Sequence, residues 1–96
     1  MMNVWPIEIG SVVISKAGRD RGRYFLVVGV VDDDFVMVAN GALRKMDRQK
    51  KKRRKHLKPT GRVVTELRDR LSQAKPVEDH ELRTWLSEEE EKLVQV

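Results

Sequence analysis

Three arginines and two glycines fall within the six residues Gly18-Arg19-Asp20-Arg21-Gly22-Arg23. From Arg44 to Lys58 there are ten lysines and arginines against one acid, Asp47. Guanidinium and ammonium groups at that density donate charge-assisted hydrogen bonds to phosphate oxygens. The chemistry they offer is polyanion binding. Little else in the chain is reactive. His56 and His80 are the two histidines and cysteine is absent, so no convergent set of Cys, His and carboxylate is in view to hold zinc or act as a general base. No nucleophile motif or P-loop is present. Asp32-Asp33-Asp34 reads as a solvated hairpin turn, because adjacent aspartates point in different directions and no downstream glutamate completes a calcium loop. An enzyme, a cofactor, a metal and a small-molecule substrate are therefore not expected.

The candidate contact residues fall in two groups. The loop supplies Lys16, Arg19, Arg21, Gly22 and Arg23. The basic run supplies Arg44, Lys45, Arg48, Lys50, Lys51, Lys52, Arg53, Arg54, Lys55, His56 and Lys58, with His56 able to hydrogen-bond a ribose or phosphate. Gly18 and Gly22 can take positive φ at little steric cost, so the backbone can turn sharply and push the arginines outward. Aromatic platforms are scarce. Trp5, Tyr24, Phe25, Phe35 and Trp85 are the full set, and most read as core.

Charge is unevenly spread. The net charge is +5, but residues 1–65 carry 15 Lys/Arg against 6 Asp/Glu, and residues 66–96 carry 5 against 9. A basic body with an acidic end fits a polyanion-binding unit whose tail faces elsewhere. No apolar stretch approaches the ~18 residues of a membrane helix, and the N-terminus lacks a basic segment followed by an apolar one. A soluble, unprocessed, cytoplasmic protein of one small domain is the expectation.

The elements that must position the cations follow from pattern. Val12 to Ser15 and Tyr24 to Val31 flank the loop and are rich in β-branched and aromatic residues, as strands are. The second run is continuously apolar except for Gly29. A strand wet on one face would alternate, so this one should be covered on both, with Gly29 marking a bulge or close backbone approach. Phe35 to Ala39 is the third strand. Asn40-Gly41 signals a tight hairpin, which places a fourth strand over Ala42 to Met46. A fifth short strand is expected through Lys55 to Lys58, with Pro59-Thr60-Gly61 ending the β region. The basic run between them reads as a loop or β-ribbon.

Beyond that point the period changes. Val63 or Val64, Leu67 and Leu71 recur at helical spacing, Lys75-Pro76 breaks the segment, and Leu82, Trp85 and Leu86 form an i, i+3, i+4 stripe. Asp79 stands where an N-cap belongs. Helices this short are marginal alone, so they should dock on the doubly apolar second strand. Glu88 to Glu91 reads as a solvated face. The fold class expected is mainly β with C-terminal α: a small barrel over residues 1–60 and a helical extension over 61–96 packed on it.

The stretch Val12–Val27 resembles a KOW motif, found in several large-subunit ribosomal proteins and in NusG-type transcription factors. Ala17-Gly18-Arg19-Asp20-Arg21-Gly22-Arg23 follows its pattern, and Gly22 occupies its signature glycine. Phe25 departs from it, where many KOW sequences have another glycine. The likeness is closer to short bacterial KOW proteins that resemble archaeal and eukaryotic large-subunit ribosomal proteins. Asn40-Gly41 and Lys55-His56-Leu57 look like that subgroup too. The resemblance implies an SH3-like barrel and RNA binding, with ribosomal RNA as partner and ribosomal proteins as further neighbours. Recognition would be of RNA shape and backbone over base reading.

A second class of reading stays open. SH3-like barrels also bind proteins, and an adaptor of the transcription or translation machinery would use Leu82, Trp85 and Leu86 as a partner surface. A solvent-exposed Trp85 would favour it.

Overall fold

The computed structural model describes residues 5–94, with backbone only at positions 93 and 94. Residues 1–4 of the lead-in expected over Met1 to Pro6, and the side chains of Leu93 and Val94, lie outside the described residues. Five strands form one antiparallel sheet: β1 (Ser11–Ser15), β2 (Tyr24–Val30), β3 (Phe35–Ala39), β4 (Lys50–Arg53) and β5 (Leu57–Val63), in the order β4-β3-β2-β1-β5. Two helices follow, α1 (Thr65–Ser72) and α2 (Asp79–Val94). Single 3₁₀ turns span Met46–Arg48 and Arg54–His56. Among the described residues no ladder joins β4 to β5, so the expected barrel is not closed by hydrogen bonds.

β2 is covered on both faces. On one side Phe25 and Val27 pack with Val13, Val36, Val38 and Leu57. On the other, Leu26 and Val28 pack with Val12, Ala39, Val64, Leu67, Leu82 and Leu86. This is why the run carries no polar alternation: from Phe25 to Val28 both sides are buried. The ladder slips between Val27 and Gly29, so the expected bulge is there, with Val28 the extra residue. Leu67 and Leu82 are fully buried, each contributing about 1.5–3 kcal/mol of apolar transfer. That burial, more than intrinsic propensity, holds these short helices.

The stripe on α2 is therefore a core face. Leu82 and Leu86 are buried, and Trp85 is half-buried against the same cluster, with the Arg70 guanidinium 5.6 Å from its ring. Arg70 also pairs with Glu81 on α2 and with Glu66 one turn earlier, the latter at 2.7 Å. The hydrogen bond from Arg70 holds the Glu81 carboxyl below the usual glutamate range.

Three sequence expectations fail locally, each for a tertiary reason. The strand over Ala42 to Met46 does not form. Asn40 Oδ1 accepts the N–H groups of Ala42 and Arg44 at 3.1 and 2.8 Å, closing a compact loop. Gly41 lies hard against α2, where an added Cβ would come within 2.2 Å of the Asp79 carbonyl oxygen. The fourth strand is instead Lys50–Arg53, inside the basic run. Asp79 does not cap its helix, since its Oδ1 accepts the Met46 N–H at 2.8 Å. Glu78 and Glu81 close that end, the Glu78 N–H donating to the Glu81 carboxylate at 3.1 Å. Finally, β5 does not stop at Pro59 but continues to Val63. It is an edge strand, and a proline's missing donor is tolerated on an edge.

Trp5 is 51 % exposed and lies over Gly61 of β5, beside Pro59 and Val63. Among the described residues no helix is long and apolar enough to cross a membrane.

Candidate nucleic-acid interface

The loop between β1 and β2 is closed by its own backbone. The Gly22 N–H donates to the Ser15 carbonyl at 2.8 Å, the Ser15 N–H to Arg23 at 3.0 Å, and the Arg23 N–H to Asp20 at 2.9 Å. Gly18 and Gly22 take φ of 75° and 85°, the left-handed region where a side chain is disfavoured. Nothing lies within 4 Å of a Cβ built at either. Conformation, not crowding, is what requires glycine.

This geometry turns Asp20 inward while Arg19, Arg21 and Arg23 stay exposed. Asp20 is 5 % exposed. Its carboxylate lies 3.2 Å from the Lys52 ammonium and 3.9 Å from the Arg44 guanidinium. Lys52 also donates to Ser15 Oγ at 3.2 Å, and that hydroxyl donates on to the Ala17 carbonyl. A charged anchor thus ties β4 to the loop, over a separation of 32 positions. In the sequence Asp20 is one letter of a motif and Lys52 one cation among many.

Strand parity explains Lys52. Val36 and Val38 face the interior, and Lys52 and Lys50 are their cross-strand partners. Lys51 and Arg53 pair with Met37 and Phe35 and take the opposite parity. Lys50, closer to the strand's end, is exposed where Lys52 is not.

Above the anchor lies a groove of about 460 Å³. The loop lines it with Ala17, Gly18, Arg19 and Asp20, and the basic run with Arg44, Lys50, Lys51, Lys52, Arg53 and His56; Phe35 completes it. The two sequence signals thus meet in space. Not every candidate joins them. Arg54 is half-buried and donates to the Ile7 and Asp32 carbonyls at 2.8 and 3.3 Å. Arg21 donates to the Lys16 carbonyl at 3.1 Å. Gly22 and Arg23 line a second hollow of about 370 Å³ with Tyr24, Asn40, Arg83 and Glu90. Lys45 and Arg48 sit at the 3₁₀ turn near α2, while Lys16, Lys55 and Lys58 are exposed elsewhere around the loop base and β5.

The acidic turn behaves as a hairpin turn, Asp32 Oδ1 accepting the N–H groups of Asp34 and Phe35, both at 2.8 Å. Among the described residues no group of three or more Cys, His, Asp and Glu is placed to hold a metal ion.

A five-stranded antiparallel sheet with a glycine-arginine loop and two docked helices makes this a small, mainly β domain with C-terminal α. Comparison with known proteins finds similar chains among those named for the large ribosomal subunit. Over 58 residues, 60 % of each chain, it is 36 % identical to large ribosomal subunit protein eL14 of Desulfurococcus amylolyticus and 29 % identical to that of Staphylothermus marinus. The eL14 of Pyrobaculum arsenaticum is 33 % identical over 60 % of this chain and 56 % of its own. These relatives are archaeal. The chain spans about 60 % of the length of the relatives it matches. No protein-family model matches it.

Proposed function

We propose that this chain is a non-enzymatic RNA-binding protein of the ribosome. Its contact surface is the groove between the β1–β2 loop and β4, and ribosomal RNA is its partner, with ribosomal proteins as neighbours and the cytoplasm as its place. One observation carries the reading: Arg19 and the exposed cations of β4 meet around one groove, although they lie far apart in sequence. Similarity to proteins named for the large ribosomal subunit supports it. We read the open sheet as an SH3-like barrel whose β4–β5 seam is spanned by the Arg54–His56 turn. The helices α1 and α2 serve as a brace on its outer face.

Within the candidate set the roles divide. Arg19, Lys50, Lys51 and Arg53 are the exposed groove cations assigned to phosphates, and Lys55, on the turn beside the groove's His56, is assigned to a fifth. Lys52 and Arg54 are assigned to holding the surface in shape. Five phosphate contacts on single-stranded RNA give a salt slope of about −3.5 in log K against log salt concentration. Fluorescence anisotropy with labelled ribosomal RNA fragments over a salt series tests this. A slope near that value, flattened by charge reversal at Arg19, Lys50 and Lys51, is the expected result. No binding at low salt, or binding indifferent to those reversals, overturns the reading.

A further inference from the structure

Phe35 is half-buried at the start of β3 and belongs to neither apolar cluster of the sheet. It lines the basic groove. The Lys51 ammonium lies 4.5 Å from its ring centroid and the Arg53 guanidinium carbon 4.8 Å. Its backbone is pinned by the turn before it: the Asp32 carboxylate accepts its N–H at 2.8 Å, and its carbonyl accepts the Val31 N–H at 3.1 Å. An aromatic ring on a fixed backbone, flanked by two cations in a groove, is the arrangement that binds single-stranded nucleic acid by stacking and charge together.

We propose that Phe35 is a stacking platform for one unpaired nucleobase, whose flanking phosphates are taken by Lys51 and Arg53. This rests on the RNA-binding reading above and makes it specific to unpaired RNA. The energetics favour the exchange. An exposed cation–π contact is worth roughly two- to fivefold in an equilibrium constant. Stacking of a base on an aromatic side chain is worth roughly five- to 150-fold. A base displacing Lys51 from the ring gains more than it gives up, and the freed ammonium moves to a phosphate. A duplex cannot make this contact, since its bases are already stacked inside. The exposed run Asp32–Asp34 before Phe35 repels phosphate, so the strand leaves the platform along β4 toward Lys50 and Arg19.

The test compares the full chain with Phe35→Leu and Phe35→Trp. The probes are a short oligoadenylate carrying one 2-aminopurine and a blunt RNA duplex of the same length. Phe35→Leu is expected to weaken oligoadenylate binding roughly five- to 150-fold, to leave the salt slope unchanged, and to leave duplex binding unchanged. Phe35→Trp is expected to restore oligoadenylate binding, and 2-aminopurine fluorescence is expected to be quenched on binding the wild type but not Phe35→Leu. If Phe35→Leu binds oligoadenylate as the wild type does while reversal of Lys50 and Lys51 weakens it, the platform is overturned and the RNA groove stands. Equal weakening of both probes also overturns it, since a structural lesion does that. If the charge reversals change nothing, the groove reading falls and the platform with it.

Discussion

The anchor beneath the groove and the rim around it are built from the same residue types, and they differ in what water can reach. In the anchor, the Lys52 side chain is 11 % exposed and faces a carboxylate that is itself 6 % exposed. On the rim, Lys50, Lys51 and Arg53 project into solvent from the same four-residue strand. A charge withdrawn from water is stabilising only while its partner stays, so the anchor carries fold. A solvated charge contributes little to stability and remains available to a phosphate. Lysines adjacent in the chain thereby serve opposite ends: parity along β4 separates Lys52 from Lys51 and Arg53, and position at the strand's end separates it from Lys50.

The sharpest way to break this contrast is at Asp20. Asp20→Ala leaves the Lys52 ammonium facing Ser15 and apolar surface with no counter-charge. Breaking a buried pair from one side costs about 3–5 kcal/mol. At ~4–8 °C per kcal/mol for a domain of this size, the melting temperature is expected to fall by more than about 12 °C. Lys52→Met is milder, because the aliphatic chain still covers Phe25, whose ring lies 5.6 Å from the ammonium, and Arg44 remains for Asp20. Thermal melts of the two variants beside Lys50→Ala/Lys51→Ala settle it. A rim variant as damaged as Asp20→Ala would erase the distinction.

The rim is tested by binding. Lys50→Ala/Lys51→Ala removes two of the proposed phosphate contacts and is expected to reduce the salt slope on single-stranded RNA by about 1.4, which is roughly 25-fold in affinity at 0.1 M salt. Its denaturation midpoint is expected to stay within about 0.5 kcal/mol of wild type. A loss of affinity with an unchanged slope would mean that these lysines act through shape and not through charge.

Next in size is the loop that joins anchor to rim. At Gly22 the φ of 85° costs a side chain about 1–2 kcal/mol, and no clash adds to it. Gly22→Ala is expected to lower stability by that amount in a urea titration. RNA affinity should fall only as far as the turn that presents Arg19 and orients Asp20 shifts. A neutral Gly22→Ala would show that the loop relaxes to a conformation that alanine tolerates.

Much of this was legible in the sequence because the signals were local. The uninterrupted apolar run of β2 announced two covered faces, and Leu82, Trp85 and Leu86 announced the helix that covers one of them. The loop announced its glycines, and Gly29 its bulge. What stayed hidden depended on distant partners. Lys50–Arg53 has no apolar alternation, and it is a strand because β3 offers it a ladder. Asn40-Gly41 looks like a hairpin tip until α2 arrives against Gly41. Asp20 looks like a surface acid until Lys52 is folded beneath it. Phe35 looks like core, since nothing in its neighbours shows that both apolar clusters leave it out.

The smallest effect lies at the far end of the molecule, where the cations are partnered at the surface. Arg70 links Glu66 on its own helix to Glu81 on α2, and the side chains of Arg70 and Glu81 are 28 % and 21 % exposed. The Glu81 carboxyl is held below its ordinary range chiefly by the hydrogen bond from Arg70. A depressed carboxyl stabilises the fold above its unfolded-state value and loses that contribution as pH falls through its folded-state value. The α1–α2 contact is therefore expected to weaken only in acid, below the usual glutamate range, and Glu81→Gln to remove that share of the pH dependence. Trp85 reports it, because the Arg70 guanidinium sits 5.6 Å from its ring. In a Trp5→Phe background, its fluorescence against pH should show an acid limb that Glu81→Gln flattens, with RNA affinity at neutral pH unchanged. An acid limb identical in the two proteins would place the transition elsewhere than at Glu81.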